Sequence, residues 1–521
     1  MWLPQRISLG GEMGYHERLL SMIMDGTIAD SRGLVSAKVA LAREFGLGRV
    51  PSNSETLAMA DEGMLAKAGP LLRRKPMRTR SGVAVVAVMT SPAPCPHGKC
   101  SYCPGGVDNG SPQSYTGKEP AARRAVANDF DPFRQVTNRL GQLESIGHPT
   151  DKVDLIIMGG TFTSREKEYQ LSFVKGCFDG LNGEGSRSLE EAHRKNELSP
   201  HRCIGMTVET RPDQFDDAKA SFSMGLGATR VELGVQILDD EVLRGVNRGH
   251  GVEEVVTATR LAKDRGLKVC YHIMPGLPGS NPDRDVERFS MIFEDERFRP
   301  DMIKIYPTLV VRGTALYEMW KKGEFAPYTT ELAVRVIAEM KKVAPPYVRI
   351  QRIQRDIPAP LIEAGVAKGH LRQLVRDRMR HEGSHCGCIR CREVGLMEAE
   401  SRFSDDVSLG ALTYPASGGT EYFLSLDVQR TGALVGYARL RLDGGGAHLR
   451  ELKVLGQMVP LGESRPAWQH KGYGKEIMHS AESIAREGGA SIMRVTSGIG
   501  ARPFYRSIGY SLEGVYMVKQ L

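Results

Sequence analysis

Short, nearly unbroken apolar runs recur through the middle of this chain, at 83–89, 153–158, 203–208, 230–235, 268–273 and 302–306. Each is followed by turn residues and then by a stretch with helical spacing. An unbroken apolar strand is one buried on both faces, and its alternation with helices is the pattern of parallel βα units. Six such units fall two short of a closed eightfold barrel, so the pattern predicts an open, partial (β/α)6 barrel. Before it, 17–24 and 34–45 carry apolar positions three and four apart, and Gly46 to Gly48 end the second helix. Past about residue 396 the rhythm becomes β-rich, at 421–426, 433–442 and 448–455. A glycine turn, an amphipathic helix over 475–487 and a closing run at 515–518 complete the chain. The fold class is therefore α/β. The expected divisions are a helical, basic segment (1–72), the barrel (73–357), a linker (358–395) and a second α/β domain (396–521).

At 521 residues, 41% of them hydrophobic and 25% charged, the composition is that of a folded protein of two or three domains. It holds no run of eighteen apolar residues and no signal-peptide core, so no membrane partner is expected and the cytoplasm is the expected compartment. Seventy Lys and Arg against sixty-two acidic residues leave +8, which alone says little about nucleic acid. The distribution says more. Arg73, Arg74, Lys75, Arg78 and Arg80 form one strip; Arg349, Arg352, Arg355, Arg372, Arg376, Arg378, Arg380, Arg390 and Arg392 form another. Solvated faces are the ordinary account, but the excess of Arg over Lys favours bidentate phosphate contacts.

Six of the nine cysteines fall in two clusters, Cys95, Cys100, Cys103 and Cys386, Cys388, Cys391. Cys177, Cys203 and Cys270 stand alone and read as small buried hydrophobes. The first cluster, Cys95-Pro96-His97-Gly98-Lys99-Cys100-Ser101-Tyr102-Cys103, follows the first barrel strand. Three thiolates can hold three irons of a [4Fe–4S] cube and leave the fourth open. An open iron can chelate the amino and carboxylate groups of S-adenosylmethionine, the radical S-adenosylmethionine arrangement. That arrangement commonly spaces its cysteines C-x3-C-x2-C; here the first gap is four. A zinc site completed by His97 is the competing reading, and the position after strand one favours the cluster. Gly159 and Gly160, in the loop after the second run, would let bare backbone approach the methionyl amino group.

Longer stretches carry a family likeness: Tyr102-Cys103-Pro104-Gly105-Gly106, Gln113-Ser114-Tyr115-Thr116-Gly117, Met158-Gly159-Gly160-Thr161-Phe162, Glu209-Thr210-Arg211-Pro212-Asp213 and Asn247-Arg248-Gly249-His250. With Tyr306-Pro307-Thr308-Leu309-Val310 and Tyr516-Met517-Val518-Lys519, the chain resembles the Elongator catalytic-subunit family over nearly its whole length. The four-residue cysteine gap, shorter than in eukaryotic members, points to a prokaryotic type.

Gln469-His470-Lys471-Gly472-Tyr473-Gly474 matches the Q/R-x-x-G-x-G/A element of GNAT acetyltransferases, where glycines at a helix start expose N–H groups to pyrophosphate. The resemblance implies acyl-CoA contacts from Glu451, Leu452, Lys453 and Val454, from Gly472, Tyr473, Gly474 and Lys475, and from Lys152. It implies that Tyr505 meets the thiol end of CoA, although a core aromatic is the plainer account. The second cysteine cluster reads as structural zinc, with His370, His381 or His385 as fourth ligand; a second iron–sulfur cluster and unliganded thiols are the rivals.

The reaction the resemblance implies begins with a 5′-deoxyadenosyl radical that takes hydrogen from the acetyl methyl of acetyl-CoA. The carbon radical adds to C5 of the wobble uridine of tRNA, and oxidation with thioester hydrolysis leaves 5-carboxymethyluridine. The anticodon arm would be held by the arginine strips. A protein lysine acetyltransferase with the barrel as scaffold, or a non-catalytic RNA-binding scaffold, would make no use of the first cysteines. The sequence names no accessory subunit, isoacceptor or electron donor.

Overall fold

A computed structural model describes residues 9–75, 78–397, 406–444, 446–456, 468 and 471–521. Gln469 and His470 lie outside these. The chain divides into two compact units, one of residues 1–80 with 138–150, the other of 81–137 with 151–521.

The first unit is helical. Its helices are Leu9–Met24, Ser31–Glu44, Asn53–Ala58 and Glu62–Leu72, and side chains satisfy free N–H groups at the start of the last three: Asp30 caps the second, Ser52 and Glu55 form a capping box on the third, and Asp61 caps the fourth. Tyr15, Leu19, Ile23, Leu34, Leu41, Leu57 and Leu72 form its core. The second helix stops as expected, with Gly46 at φ 63°. The basic strip is pinned by the 138–150 segment: Arg73 Nε donates to the Gly147 carbonyl (2.7 Å), and His148 bonds the Arg74 carbonyl (2.9 Å) and Thr79 Oγ1 (2.9 Å).

The second unit carries both expected α/β bodies. β1 (Ala84–Met89), β2 (Lys152–Met158), β3 (Arg202–Thr210), β4 (Arg230–Gln236), β5 (Lys268–Ile273) and β6 (Met302–Ile305) are the six expected strands. After a two-residue β7 (Val310–Val311), an unexpected β8 (Arg349–Ile353) adds a seventh, and β7 pairs with β9 (Ile362–Ala364) outside the barrel. The parallel order is β1-β2-β3-β4-β5-β6-β8, an open half-barrel with β1 and β8 as edges. β8 escapes the apolar-run criterion because its alternation places Arg349 and Arg352 within five residues.

The second sheet follows the order β10 (Val407–Ala416), β11 (Gly419–Val428), β12 (Ala433–Asp443), β13 (Gly446–Val454), β14 (Ile492–Val495), β16 (Tyr516–Gln520) and β15 (Ser511–Glu513). β13 and β14 are parallel and paired only at Ala447–Leu449; β14 ends at Val495, while β13 runs on to Val454. Helix Tyr473–Glu487 packs on β12 and β13.

The sheet meets the amino-terminal ends of the barrel strands through charge. Asp301, just before β6, accepts two bonds from Arg450, while Arg450 also reaches Glu421 at 3.0 Å and Lys263 reaches Glu421 at 3.3 Å. Arg439, Arg441 and Arg450 are among the largest fully buried side chains. Burial pushes the Asp301 carboxyl up, but Arg450, Lys263 and Arg439 outweigh it and hold it well below the usual range. Removing one member strands its partners in low dielectric. Asp301→Ala is therefore expected to destabilise the protein by about 3–5 kcal/mol, read as a lowered denaturant midpoint; an unchanged midpoint would mean that water reaches the junction.

Candidate active site

The loops at the carboxyl ends of the barrel strands enclose a cavity of about 130 Å³ lined by Cys95, Gly160, Glu209, Gln236, Arg248, His272, Lys304 and Tyr306. Of the three expected cysteines Cys95 lines the cavity, and all three sulfurs have polar partners. Cys95 Sγ lies 3.3 Å from Thr161 Oγ1, and Cys100 Sγ lies 3.3 Å from His97 Nε2 and 3.7 Å from Arg248 Nη1. Cys103 Sγ accepts from Gln113 Nε2 (3.1 Å) and the Ser114 N–H (3.2 Å). Burial raises the Cys95 thiol, and Thr161, Arg211 and Arg248 oppose that. Amide donors on Cys103 and the Arg248 guanidinium on Cys100 fit cluster thiolates, whose hydrogen bonds tune the metal. No three of Cys95, His97, Cys100 and Cys103 bring their ligand atoms within 4.8 Å of one another, so they do not form a tetrahedral zinc site.

Gly159 and Gly160 are placed as expected, and the reason is now explicit. Gly159 has φ 130°, and a Cβ there would sit 2.1 Å from Thr90 Oγ1. Its backbone threads between β1 and β2 only because it has no side chain.

A polar network descends from the cavity into the barrel. Tyr115 Oη donates to Glu209 (2.9 Å), Lys304 lies 3.8 Å from Glu209 and pairs with Glu232, and His272 Nε2 is 2.8 Å from Glu232. Arg230, beneath, approaches Glu232 at 3.5 Å and Asp154 at 3.2 Å. Burial alone would lift the Glu232 carboxyl, yet Lys304, His272 and Arg230 keep it well below the usual range. Glu232, Cys270 and His272 bring ligand atoms within 4.8 Å of one another. With Lys304 and Arg230 on the same carboxylate, that corner lacks the negative charge a cation needs. Sequence reasoning assigned no role to Gln113, Ser114, Arg248, Glu232 or Lys304. The available signal was a charge inside an apolar strand, as in Arg230-Val231-Glu232 and Ile303-Lys304-Ile305.

The residues expected to hold acyl-CoA gather at the opposite end of the barrel. Glu451 to Val454 form the part of β13 beyond its pairing with β14, and Lys152 begins β2, about 20 Å along the strand from Met158 at ~3.3 Å per residue. Burial lowers the Lys268 amine to about 8 against the pull of Glu451, and it lowers Lys152 and Lys453 as well. Tyr505 is buried, and burial with Glu451 nearby raises its hydroxyl. Gly472 stands at the start of helix Tyr473–Glu487 with φ 88° and open space where a Cβ would go. Gly474 lies inside the helix with ordinary room, so a need for positive φ applies to Gly472 alone.

Cys386, Cys388 and Cys391 bring their sulfurs within 4.8 Å of one another, and His370, His381 and His385 are not in that group. None of the three histidines brings a ring nitrogen into that group, so the expected histidine ligand is not supplied. Around that loop, the Ile389 N–H donates to the Val348 carbonyl (2.9 Å), and Arg392 pairs with Asp427 (2.9 Å) on β11. Arg349 pairs with Glu393 (2.8 Å). Arg349 and Arg392, read in sequence as phosphate contacts, are thus internal ties, because partners distant in sequence neutralise them. The lone cysteines Cys177, Cys203 and Cys270 are buried as expected.

Family models match in register with this architecture: an ELP3 N-terminal domain at 16–80, the radical SAM superfamily at 92–290, a radical SAM C-terminal domain at 300–381 and the GNAT acetyltransferase family at 390–510. A tRNA uridine(34) acetyltransferase from Methanocaldococcus jannaschii is 48% identical, covering 97% of each chain. The chain belongs to the Elongator complex protein 3 and tRNA uridine(34) acetyltransferase family. Elongator complex protein 3 of Danio rerio is 43% identical over 94% of this chain and 93% of its own. The solved archaeal Methanocaldococcus infernus Elp3, lacking its first 46 residues, matches with TM-score 0.75 and 45% identity over 85% of this chain and all of that one. Membership of the two superfamilies brings a [4Fe–4S] cluster and S-adenosylmethionine to the barrel and acetyl-CoA to the second sheet. No helix among the described residues is long and apolar enough to cross a membrane.

Proposed function

We propose that this chain converts the wobble uridine of tRNA to 5-carboxymethyluridine, working in the cytoplasm with S-adenosylmethionine and acetyl-CoA. The observation that carries this reading is that one compact unit holds a barrel with Cys95 in its cavity and a GNAT sheet whose β13 runs on past its pairing with β14, the two tied by a buried charge network. Cys95, Cys100 and Cys103 hold the cluster, which when bound supplies one electron to S-adenosylmethionine and so a 5′-deoxyadenosyl radical. Gly159 and Gly160 give backbone to the methionyl end. Gly472, Tyr473, Gly474 and Lys475 take the pyrophosphate of CoA, Glu451 to Val454 and Lys152 make further acyl-CoA contacts, and Tyr505 meets its thiol end. Cys386, Cys388 and Cys391 hold zinc, with the fourth ligand outside the three histidines named above, as a clamp between barrel and acetyltransferase domain. The working divisions are 1–72, 73–357, 358–395 and 396–521.

The test is nucleoside analysis of tRNA after anaerobic incubation with reconstituted protein, reductant and both cosubstrates. 5-Carboxymethyluridine is expected; acetylated lysines without modified nucleoside would return the barrel to a scaffold.

For RNA binding, Arg74, Lys75 and Arg78 are exposed, whereas Arg73 is committed to Gly147. Reversing those three to Glu is expected to weaken binding of an anticodon stem-loop at low salt by at least about tenfold. The log–log salt slope should shrink by about two, at roughly 0.7–0.9 per lost phosphate contact. Unchanged affinity and slope would make them a solvated face.

A further inference from the structure

The mouth of the barrel cavity is tied to one cysteine through a single backbone carbonyl. Arg355, two residues past β8, donates through Nη2 to the Ser114 carbonyl and lies 6.0 Å over the Tyr115 ring. The Ser114 N–H donates to Cys103 Sγ at 3.2 Å, and the neighbouring Gln113 side chain donates to the same sulfur at 3.1 Å. Ser114 has φ 74°, and Gln354, beside Arg355, has φ 83°. Residues with a Cβ stay in that region only where their surroundings hold them, and such positions gather at functional sites. Both ends of this chain of contacts are therefore held: a strained turn at the sulfur and a strained residue at the guanidinium.

We propose that Arg355 is a positioning residue for Cys103, which links substrate at the cavity mouth to the reduction potential of the cluster. The proposal rests on the reading of Cys95, Cys100 and Cys103 as cluster ligands. The guanidinium fixes the 113–114 turn so that both N–H donors stay on the sulfur, and it adds positive charge to the same hydrogen-bonded chain. Donors and positive charge favour the more negative, one-electron-reduced cluster and so raise its potential. Arg355 is half-buried and lines the cavity beside Arg352, so a phosphodiester at the mouth meets it directly. An anion there draws on the guanidinium and offsets its charge, which lowers the potential. By linkage, reducing the cluster must weaken binding of that anion by the same factor.

The experiment is a redox measurement by electron paramagnetic resonance on full-length reconstituted protein, with and without a synthetic anticodon stem-loop RNA. Arg355→Ala is expected to make the midpoint more negative and to change the signal of the reduced cluster. Arg355→Lys, which keeps the charge but loses the fork, should fall between Arg355→Ala and parent. Arg352→Ala is the control, because Arg352 faces the same cavity but pairs with Asp356. Its midpoint should match the parent. RNA should move the midpoint of the parent and of Arg352→Ala but not that of Arg355→Ala. Equal shifts in the two alanine variants, or none in either, would overturn the proposal while leaving the cluster assignment standing. Protein without iron and acid-labile sulfide would overturn both.

Discussion

Cys100→Ala is expected to abolish S-adenosylmethionine cleavage while leaving acetyl-CoA binding intact. Cys100 is buried and takes His97 and Arg248 on its sulfur, so alanine there removes one of three iron ligands and strips Arg248 of a partner. Changing even an outer partner of a metal ligand commonly costs about 10–100-fold, so loss of the ligand itself should exceed about 100-fold. Iron per chain should fall in parallel. The acyl-CoA residues lie at the far end of the barrel strands, and groups beyond ~10 Å seldom couple by more than about 0.5 kcal/mol. Affinity for acetyl-CoA should therefore stay within about twofold of the parent. Cys95→Ala and Cys103→Ala should behave alike. Full 5-carboxymethyluridine formation by Cys100→Ala would end the radical reading.

The mirror experiment is Gly472→Glu with Gly474→Glu. Two carboxylates at the start of helix Tyr473–Glu487 repel pyrophosphate, and a side chain at Gly472 is strained at φ 88°. The expected loss of acetyl-CoA affinity exceeds about 100-fold, as each unfavourable charge–charge contact in a desolvated site is worth more than about 1.4 kcal/mol. Gly474→Ala is the milder companion: its Cβ meets Phe504 at an ordinary 3.7 Å, so the helix survives and any loss of affinity reports the ligand. The double variant should keep its iron and cleave S-adenosylmethionine at a basal rate, yet make no modified nucleoside. In the parent, deuterium from methyl-labelled acetyl-CoA should appear in 5′-deoxyadenosine. This measurement carries particular weight because Lys152 stands about 20 Å along β2 from the cavity end. Carboxymethyluridine without label transfer would replace the methyl-abstraction step and keep the family assignment.

Much of this protein was legible before any coordinates. The barrel strands announced themselves because a strand covered on both faces must be apolar along its length. The cysteine loop and the glycine turn were equally plain, since each packs its chemistry into fewer than ten consecutive residues. β8 was not, because Arg349 and Arg352 resemble a basic surface strip until Glu393 appears beside the buried Arg349. The expected histidine ligand for the second cysteine loop failed for a related reason. His381 and His385 are close to Cys386 in sequence, yet neither ring joins the three sulfurs in space.

What the sequence determined by itself is therefore the order of elements, the family and the residues whose neighbours in the chain are their neighbours in space. Only the tertiary structure decided which charges are internal. Asp301 and Arg450 lie 149 positions apart yet share one buried network with Glu421, and Arg248 reaches Cys100 across 148 positions. A charge carries no mark of its burial in its own sequence context. Its protonation, its partners and its availability to phosphate are set by the dielectric around it and by the opposite charges that folding brings within a few ångströms.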